Sequence, residues 1–182
     1  MLALLPGSRV GEIRHNLPRL LRALRLLGGR DGLRAEIPAA NARAEAEIRA
    51  LLAREADGLP PVAVLPAGGA RDLLRRATCA AVASGTATLE AALARCPTAL
   101  VYAVSPLLAW FARRVITGVR HVGLANVVWE MSGGTATCPM PEFLQEAFTP
   151  EALAARLGAW LDDPAERKRA QAALDGAVAL IS

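Results

Sequence analysis

The junction between the run Cys79 to Ala83 and the segment Ser84-Gly85-Thr86-Ala87-Thr88-Leu89-Glu90 constrains the fold more than any other stretch. Cys79 to Ala83 is apolar throughout and reads as a buried strand, while Ala91 to Ala94 reads as a buried helix. A turn of Ser, Gly and Thr between them presents backbone N–H groups and hydroxyls at a helix N-terminus. Unpaired N–H groups and the helix dipole stabilise an anion there, typically a phosphate. Glu90 stands out on a helix that is otherwise small and apolar. A capping box does not explain it, because the residue three positions back is Ala87. An ion pair along the helix does not either, because Leu93 and Ala94 follow. Two readings of Glu90 remain: a carboxylate that accepts hydrogen bonds from the two hydroxyls of a ribose, or one that only complements the dipole.

The same alternation runs along the whole chain. Leu2 to Leu5 reads as a strand that opens abruptly at the first residue, which is unusual for a complete domain. The turn Pro6-Gly7-Ser8-Arg9 leads to Glu12 and a helical pattern through Leu17, Leu20, Leu21, Leu24 and Leu27, which Gly28-Gly29 ends. Leu33 to Ile37 is expected as a second strand. Asn41 is placed to cap a helix running to about Glu55, with Ile48, Leu51 and Leu52 inward. Val62 to Leu65 reads as a third strand, followed by Gly68-Gly69 and a short helix, Arg71 to Arg76. Thr98 to Val104 is a fifth strand by its β-branched and aromatic content, and Ser105-Pro106 starts a helix to about Ile116. Val122 to Leu124 is expected as a sixth strand and Ala125 to Pro141 as a loop. Thr149-Pro150-Glu151 starts a helix to about Leu161, and Asp163-Pro164 starts the last. The pattern predicts an α/β fold, a Rossmann-like parallel sheet with helices on both faces.

A chain of 182 residues suffices for one domain with a substantial core. The net charge of +4 rests almost wholly on Arg, Lys168 being the only lysine. Arg suits bidentate contact with phosphate or carboxylate, although a GC-rich genome accounts for most of these residues. Cys79, Cys96 and Cys138 form no CxxC, and His15 and His121 are isolated. Neither a metal site nor a disulfide framework is expected, no cofactor is called for, and a reducing cytoplasmic compartment fits. Met1 to Leu5 lacks the charged start of a signal peptide. The longest uncharged run, Cys96 to Ala112, is divided by Pro97 and Ser105-Pro106 and reads as strand then helix rather than as a membrane span.

Ligands of parallel sheets bind beyond the carboxyl ends of the strands. Gly7-Ser8-Arg9 and Ser84-Gly85-Thr86 both follow strands, so one crevice can hold both. The common nucleotide signatures are absent: there is no GxxxxGK[ST], and Gly7-Ser8-Arg9-Val10-Gly11 is not GxGxxG.

Five segments in order carry a resemblance. Leu4-Leu5-Pro6-Gly7-Ser8-Arg9 with Glu12-Ile13 resembles the start of the C-terminal half of lipid-A-disaccharide synthases, and Ala83 to Glu90 is similar to that family's second signature. Tyr102-Ala103-Val104-Ser105-Pro106 with Ala112-Arg113-Arg114, then Asn126, then Pro141-Glu142-Phe143-Leu144-Gln145 complete the match. The resemblance implies one half of a GT-B glycosyltransferase: residues 1–182 as a single C-terminal UDP-sugar-binding domain, with the N-terminal acceptor domain absent. It implies an inverting transfer of 2,3-diacylglucosamine from UDP-2,3-diacylglucosamine to 2,3-diacylglucosamine 1-phosphate (lipid X), a step of lipid A and lipopolysaccharide biosynthesis. By matching motif, Arg9 and Asn126 are the expected catalytic residues. Gly7, Ser8, Arg9, Glu12, Ser84, Gly85, Thr86, Thr88, Glu90, Asn126, Glu142 and Gln145 are the expected UDP-sugar site. Arg9 would offset diphosphate charge as UDP leaves, Ser84, Gly85, Thr86 and Thr88 would hold phosphate, and Glu90 the ribose.

Further expectations follow from the resemblance. The partners are UDP-2,3-diacylglucosamine and lipid X, the N-terminal half of the enzyme if it is encoded separately, and the anionic surface of the inner membrane; a homodimer is a further expectation, and nucleic acid is not. The location is cytoplasmic and peripheral on the inner membrane of a Gram-negative-type bacterium. Trp110, Phe111, Arg113, Arg114, Arg120 and His121 suit a headgroup zone. The chain departs from the family between Val127 and Met140, which is longer here. A non-catalytic UDP-sugar-binding module, or another GT-B enzyme such as a UDP-sugar epimerase, is the alternative.

Overall fold

A computed structural model of the chain describes residues 1–103, 124–131 and 138–179. Six strands are present among them: β1 Leu2–Leu5, β2 Ala35–Pro38, β3 Val62–Leu65, β4 Cys79–Ala83, β5 Thr98–Tyr102 and β6 Glu142–Leu144. They pair in parallel throughout, in the order β3-β2-β1-β4-β5-β6. The Rossmann-like parallel sheet expected from the alternation is therefore the one observed. Its order reverses between β1 and β4, which is the switch point where such sheets open a crevice.

The helices are α1 Val10–Leu26, α2 Ala42–Glu55, α3 Ala70–Arg76, α4 Ala87–Leu93, α5 Leu124–Met131, α6 Pro150–Asp162 and α7 Pro164–Ala179. Alternate residues of the central strands feed two cores, as the period of a strand requires. Leu2 and Leu4 face the layer of α1, α2 and α6, whereas Ala3 and Leu5 face the layer of α3, α4 and α7. Ile13, Leu17, Leu20, Leu21 and Leu24 form the wholly buried stripe of α1. Asn41 caps α2 through Ala44 N–H at 2.9 Å, and Thr149 caps α6 through Ala152 N–H at 3.2 Å.

Several boundaries differ from the sequence reading, each for a local reason. The second strand begins at Ala35, not Leu33, because the Leu33 amide is already bonded to the Arg30 carbonyl at 3.1 Å. Leu33 still joins the core at 8% exposure. Helix α4 begins at Ala87, four residues before the expected apolar run, which places Glu90 in its first turn. Of the sixth strand expected at Val122 to Leu124, the first two residues lie outside the described residues and Leu124 opens α5; the sixth strand among the described residues is β6. Residues 124–131 are likewise helix rather than loop, since nothing between Ala125 and Met131 breaks a helix. The fifth strand ends at Tyr102. Val104, the helix expected from Ser105-Pro106, the Ala112-Arg113-Arg114 match and the Trp110 to His121 patch lie outside the described residues. Among the described residues no helix is long and apolar enough to cross a membrane.

Candidate functional site

The first turn of the site follows β1. Gly7 has φ +117°, and a Cβ built on it would lie 2.6 Å from Glu12 Oε2 and 2.8 Å from Glu12 Cβ. Only glycine accommodates both the backbone angle and this approach. The Glu12 carboxylate folds back over the turn: Ser8 N–H donates to Oε2 at 3.0 Å, Arg9 N–H to Oε2 at 3.2 Å, and Arg9 Nη1 to Oε1 at 3.0 Å. This is half of a capping box. Glu12 at the third helical position satisfies the cap amide, but the cap side chain is Arg9, which has no acceptor to return the bond. Glu12, expected to touch the ligand, is thus engaged by its own turn, with 17% of its side chain exposed against 83% for Arg9.

The second turn follows β4. Ser84 N–H donates to the Val101 carbonyl at 3.2 Å, tying this exit to β5. Gly85 has φ +151° with open space where a Cβ would stand. Thr88 is wholly buried beneath the turn, and its hydroxyl donates to the Gly85 carbonyl at 2.7 Å. Thr88 therefore shapes the turn from below. Glu90 reaches the same crevice, and its carboxylate has no hydrogen-bond or ion-pair partner among the described residues.

The two turns share a cleft of about 430 Å³ at the switch point. Of the expected site residues, Gly7, Ser8, Arg9, Glu12, Ser84, Gly85, Thr86 and Glu90 line it. Its opposite wall, which sequence reasoning missed, is Pro38, Ala39 and Ala40 at the end of β2 with Gly68 and Ala70. The signal for that wall is topological: β2 and β1 are neighbours whose carboxyl ends open on the same side. The β2 exit carries small apolar side chains, so among the described residues the carboxylates of the cleft are Glu12 and Glu90, and of these two Glu90 is not already used.

Asn126, Glu142 and Gln145 do not line this cleft. Asn126 is wholly buried; its Nδ2 donates to the Met140 carbonyl at 2.8 Å and to Glu142 Oε1 at 2.7 Å, and its Oδ1 accepts from Met140 N–H at 3.1 Å. The amide thus fastens the entry of β6 to α5. Gln145 follows β6 at φ +50°, opening a short 3-10 turn, Gln145–Ala147. Glu142 instead borders a second cavity of about 690 Å³, with Trp160, Arg156 and Cys138. Burial pushes the Cys138 thiol up to about 11 and the Cys79 and Cys96 thiols up to about 12. All three are protonated near neutral pH.

Asn16 is a wholly buried polar residue that the sequence did not single out. Its Nδ2 donates to the Pro6 carbonyl at 3.0 Å and its Oδ1 accepts from Ala103 N–H at 3.0 Å. An amide in the leucine stripe of α1 is the signal that would have found it.

Strand order and cleft together define the class: a doubly wound α/β domain with a cleft at the switch point between β1 and β4, the place where sheets of this kind take their ligands. The catalytic domain of a cholesterol-alpha-glucosyltransferase from Helicobacter pylori shares this fold, with a TM-score of 0.56 at 17% identity over 99% of this chain and 97% of that one. A sequence model of the family described as lipid-A-disaccharide synthetase matches residues 1–179, and the chain belongs to that family. It is 39% identical to the lipid-A-disaccharide synthase of Syntrophus aciditrophicus over 170 residues, 93% of this chain and 42% of the relative. It is 40% identical to that of Thiobacillus denitrificans over 169 residues, 92% of this chain and 42% of the relative. The chain thus spans less than half the length of these curated relatives.

Proposed function

We propose that this chain is the donor-binding, C-terminal half of a lipid-A-disaccharide synthase, holding UDP-2,3-diacylglucosamine for transfer to lipid X. One observation carries the reading: Gly7 to Arg9, Ser84 to Thr86 and the unpartnered Glu90 carboxylate converge on one cleft at the switch point. Glu90 accepts from the ribose hydroxyls, the two turns bracket the diphosphate, and Arg9 turns its exposed guanidinium from Glu12 toward the phosphate charge. In the transfer, the acceptor oxygen bonds to the anomeric carbon as the bond from that carbon to the diphosphate oxygen breaks. The electron pair leaves on UDP and the acceptor proton goes to a base. Arg9 serves the departing charge. The base and the acceptor pocket belong to the N-terminal half, a reading supported by relatives more than twice as long as this chain. Asn126 and Glu142, bonded to each other, act as a support for the β6 edge of the donor site. The assembled enzyme works at the cytoplasmic face of the inner membrane, where its acylated substrates reside.

Calorimetry on the 182-residue chain tests the donor role. UDP is expected to bind with a chelator present, and Glu90→Ala to weaken it by about 1.5–3 kcal/mol, roughly 10- to 150-fold. In the unmodified chain, 2′-deoxy-UDP is expected to bind more weakly than UDP; equal affinities would remove the contact to the 2′-hydroxyl. Disaccharide synthesis is expected only after the N-terminal half is supplied in trans, and turnover by this chain alone would overturn the division of labour.

A further inference from the structure

The inward face of α1 is a stripe of wholly buried leucines interrupted by one wholly buried amide, Asn16. A buried amide is tolerated only if its donors and acceptors are met, and both ends of Asn16 are met by backbone. Its partners are the Pro6 carbonyl at 3.0 Å and the Ala103 amide at 3.0 Å. These groups lie just past the ends of β1 and β5, the two strands that flank β4 in the sheet. One side chain therefore braces two strand exits across the one between them. That middle exit carries Ser84 to Thr86 and is itself tied to β5 by the bond from Ser84 N–H to Val101.

We infer that Asn16 is a positioning residue of the donor site: it sets the Gly7-Ser8-Arg9 turn against the Ser84-Gly85-Thr86 turn. The inference rests on the nucleotide reading above and deepens it. Pro6 immediately precedes Gly7, so the position of its carbonyl sets where the turn begins. Without Asn16, a carbonyl and an N–H are left without partners in a dry interior, and the backbone must shift to find others. The shift falls on the turn that brackets the diphosphate and not on Glu90, which stands on α4. Asn16 itself does not line the cleft.

The test compares UDP with uridine on the unmodified chain, Asn16→Ala and Asn16→Asp, by calorimetry, with thermal unfolding alongside. Both variants are expected to lose about tenfold in UDP affinity, the scale of one lost hydrogen bond at a charged ligand. Uridine affinity is expected to change less than about twofold, because its contacts avoid the turn. Asn16→Asp keeps the acceptor for Ala103 N–H and loses the donor to Pro6, so it isolates the turn. A lowered melting temperature with an unchanged ratio of UDP to uridine affinity would reduce Asn16 to packing and overturn its role, leaving the nucleotide reading intact. Failure of the unmodified chain to bind UDP would instead remove both. A further measurement needs no variant: UDP is expected to slow hydrogen exchange at the Ala103 amide several-fold, and an unchanged rate in the UDP-bound chain would overturn the brace.

Discussion

The two turns of the cleft are built from similar residues and are in opposite electrostatic states. After β1, the chain supplies its own anion: Glu12 takes the Ser8 and Arg9 amides and pairs with the Arg9 guanidinium. After β4, the neighbouring carboxylate, Glu90, has no partner among the described residues. The first turn is thus held in shape before any ligand arrives, while the second presents an unused acceptor to the cleft. Rigidity on one side and an open valence on the other suit a site that must fix a charged group and recognise a hydroxylated one.

Paired glycine substitutions break this comparison most strongly. Gly7→Ala adds a Cβ 2.6 Å from Glu12 Oε2 at a left-handed φ, so both strain and clash apply. It is expected to destabilise the fold by about 3 kcal/mol, read by urea denaturation, and to abolish UDP binding. Gly85→Ala meets open space and suffers strain alone, with an expected loss of about 1–2 kcal/mol. Equal losses would show that Glu12 gives way freely.

Glu90→Ala sharpens the contrast from the other side. It is expected to leave the urea midpoint unchanged within error while weakening UDP, because no group among the described residues depends on that carboxylate. Glu12→Ala should do the reverse in part, removing a cap worth about 0.5–2 kcal/mol. Glu12→Gln keeps an acceptor for the two amides and gives up only the exposed pair to Arg9. Its expected change is below about 1 kcal/mol, measured in the same titrations. A Glu12→Gln loss as large as that of Glu12→Ala would make the ion pair, not the cap, the element that holds the turn.

The smallest expected effect lies away from the cleft. The Arg76 guanidinium, hydrogen-bonded to Glu36 on β2, holds the Glu36 carboxyl below its ordinary value. A lowered folded-state value means that this stabilisation is complete above the ordinary carboxylate range and fades as pH falls through the folded value. Glu36→Gln is therefore expected to flatten the acid limb of a stability-against-pH curve slightly and to leave UDP binding unaltered at neutral pH. A change in UDP affinity would couple this pair to the cleft.

Much of the site was legible because it is local. Gly7, Ser8, Arg9 and Ser84, Gly85, Thr86 were placed correctly at strand exits by apolar runs ending in turn residues, and the cleft collects all six. Glu90 was marked by elimination, since neither a capping box nor an ion pair along the helix accounts for it, and the structure puts it on the cleft lining. Thr88, Asn126, Glu142 and Gln145 lie outside the cleft lining. Thr88 stands two residues before Glu90, on the opposite side of α4, and its hydroxyl is taken up by the Gly85 carbonyl beneath the loop. The edge at α5 and β6 was misread because a three-residue strand shows no periodicity, and because an eight-residue apolar helix resembles any short apolar run.

Taken alone, the amino-acid order determined the alternation of strands and helices, the parallel sheet, the two turns and the family to which they belong. These depend on the period of apolar residues and on turn chemistry, which are properties of neighbours along the chain. Tertiary structure alone decided that no other described element brings a partner to the Glu90 carboxylate. It alone showed that Asn16 joins groups 87 residues apart at one end and 10 at the other, and that Asn126 reaches across to Met140 and Glu142. The partner of a buried amide is set by what the sheet order brings within about 3 Å, and that order places β1 beside β4 through pairings such as Leu2 with Cys79. No local spacing encodes such a meeting, because it exists only once the hydrophobic layers on both faces have closed.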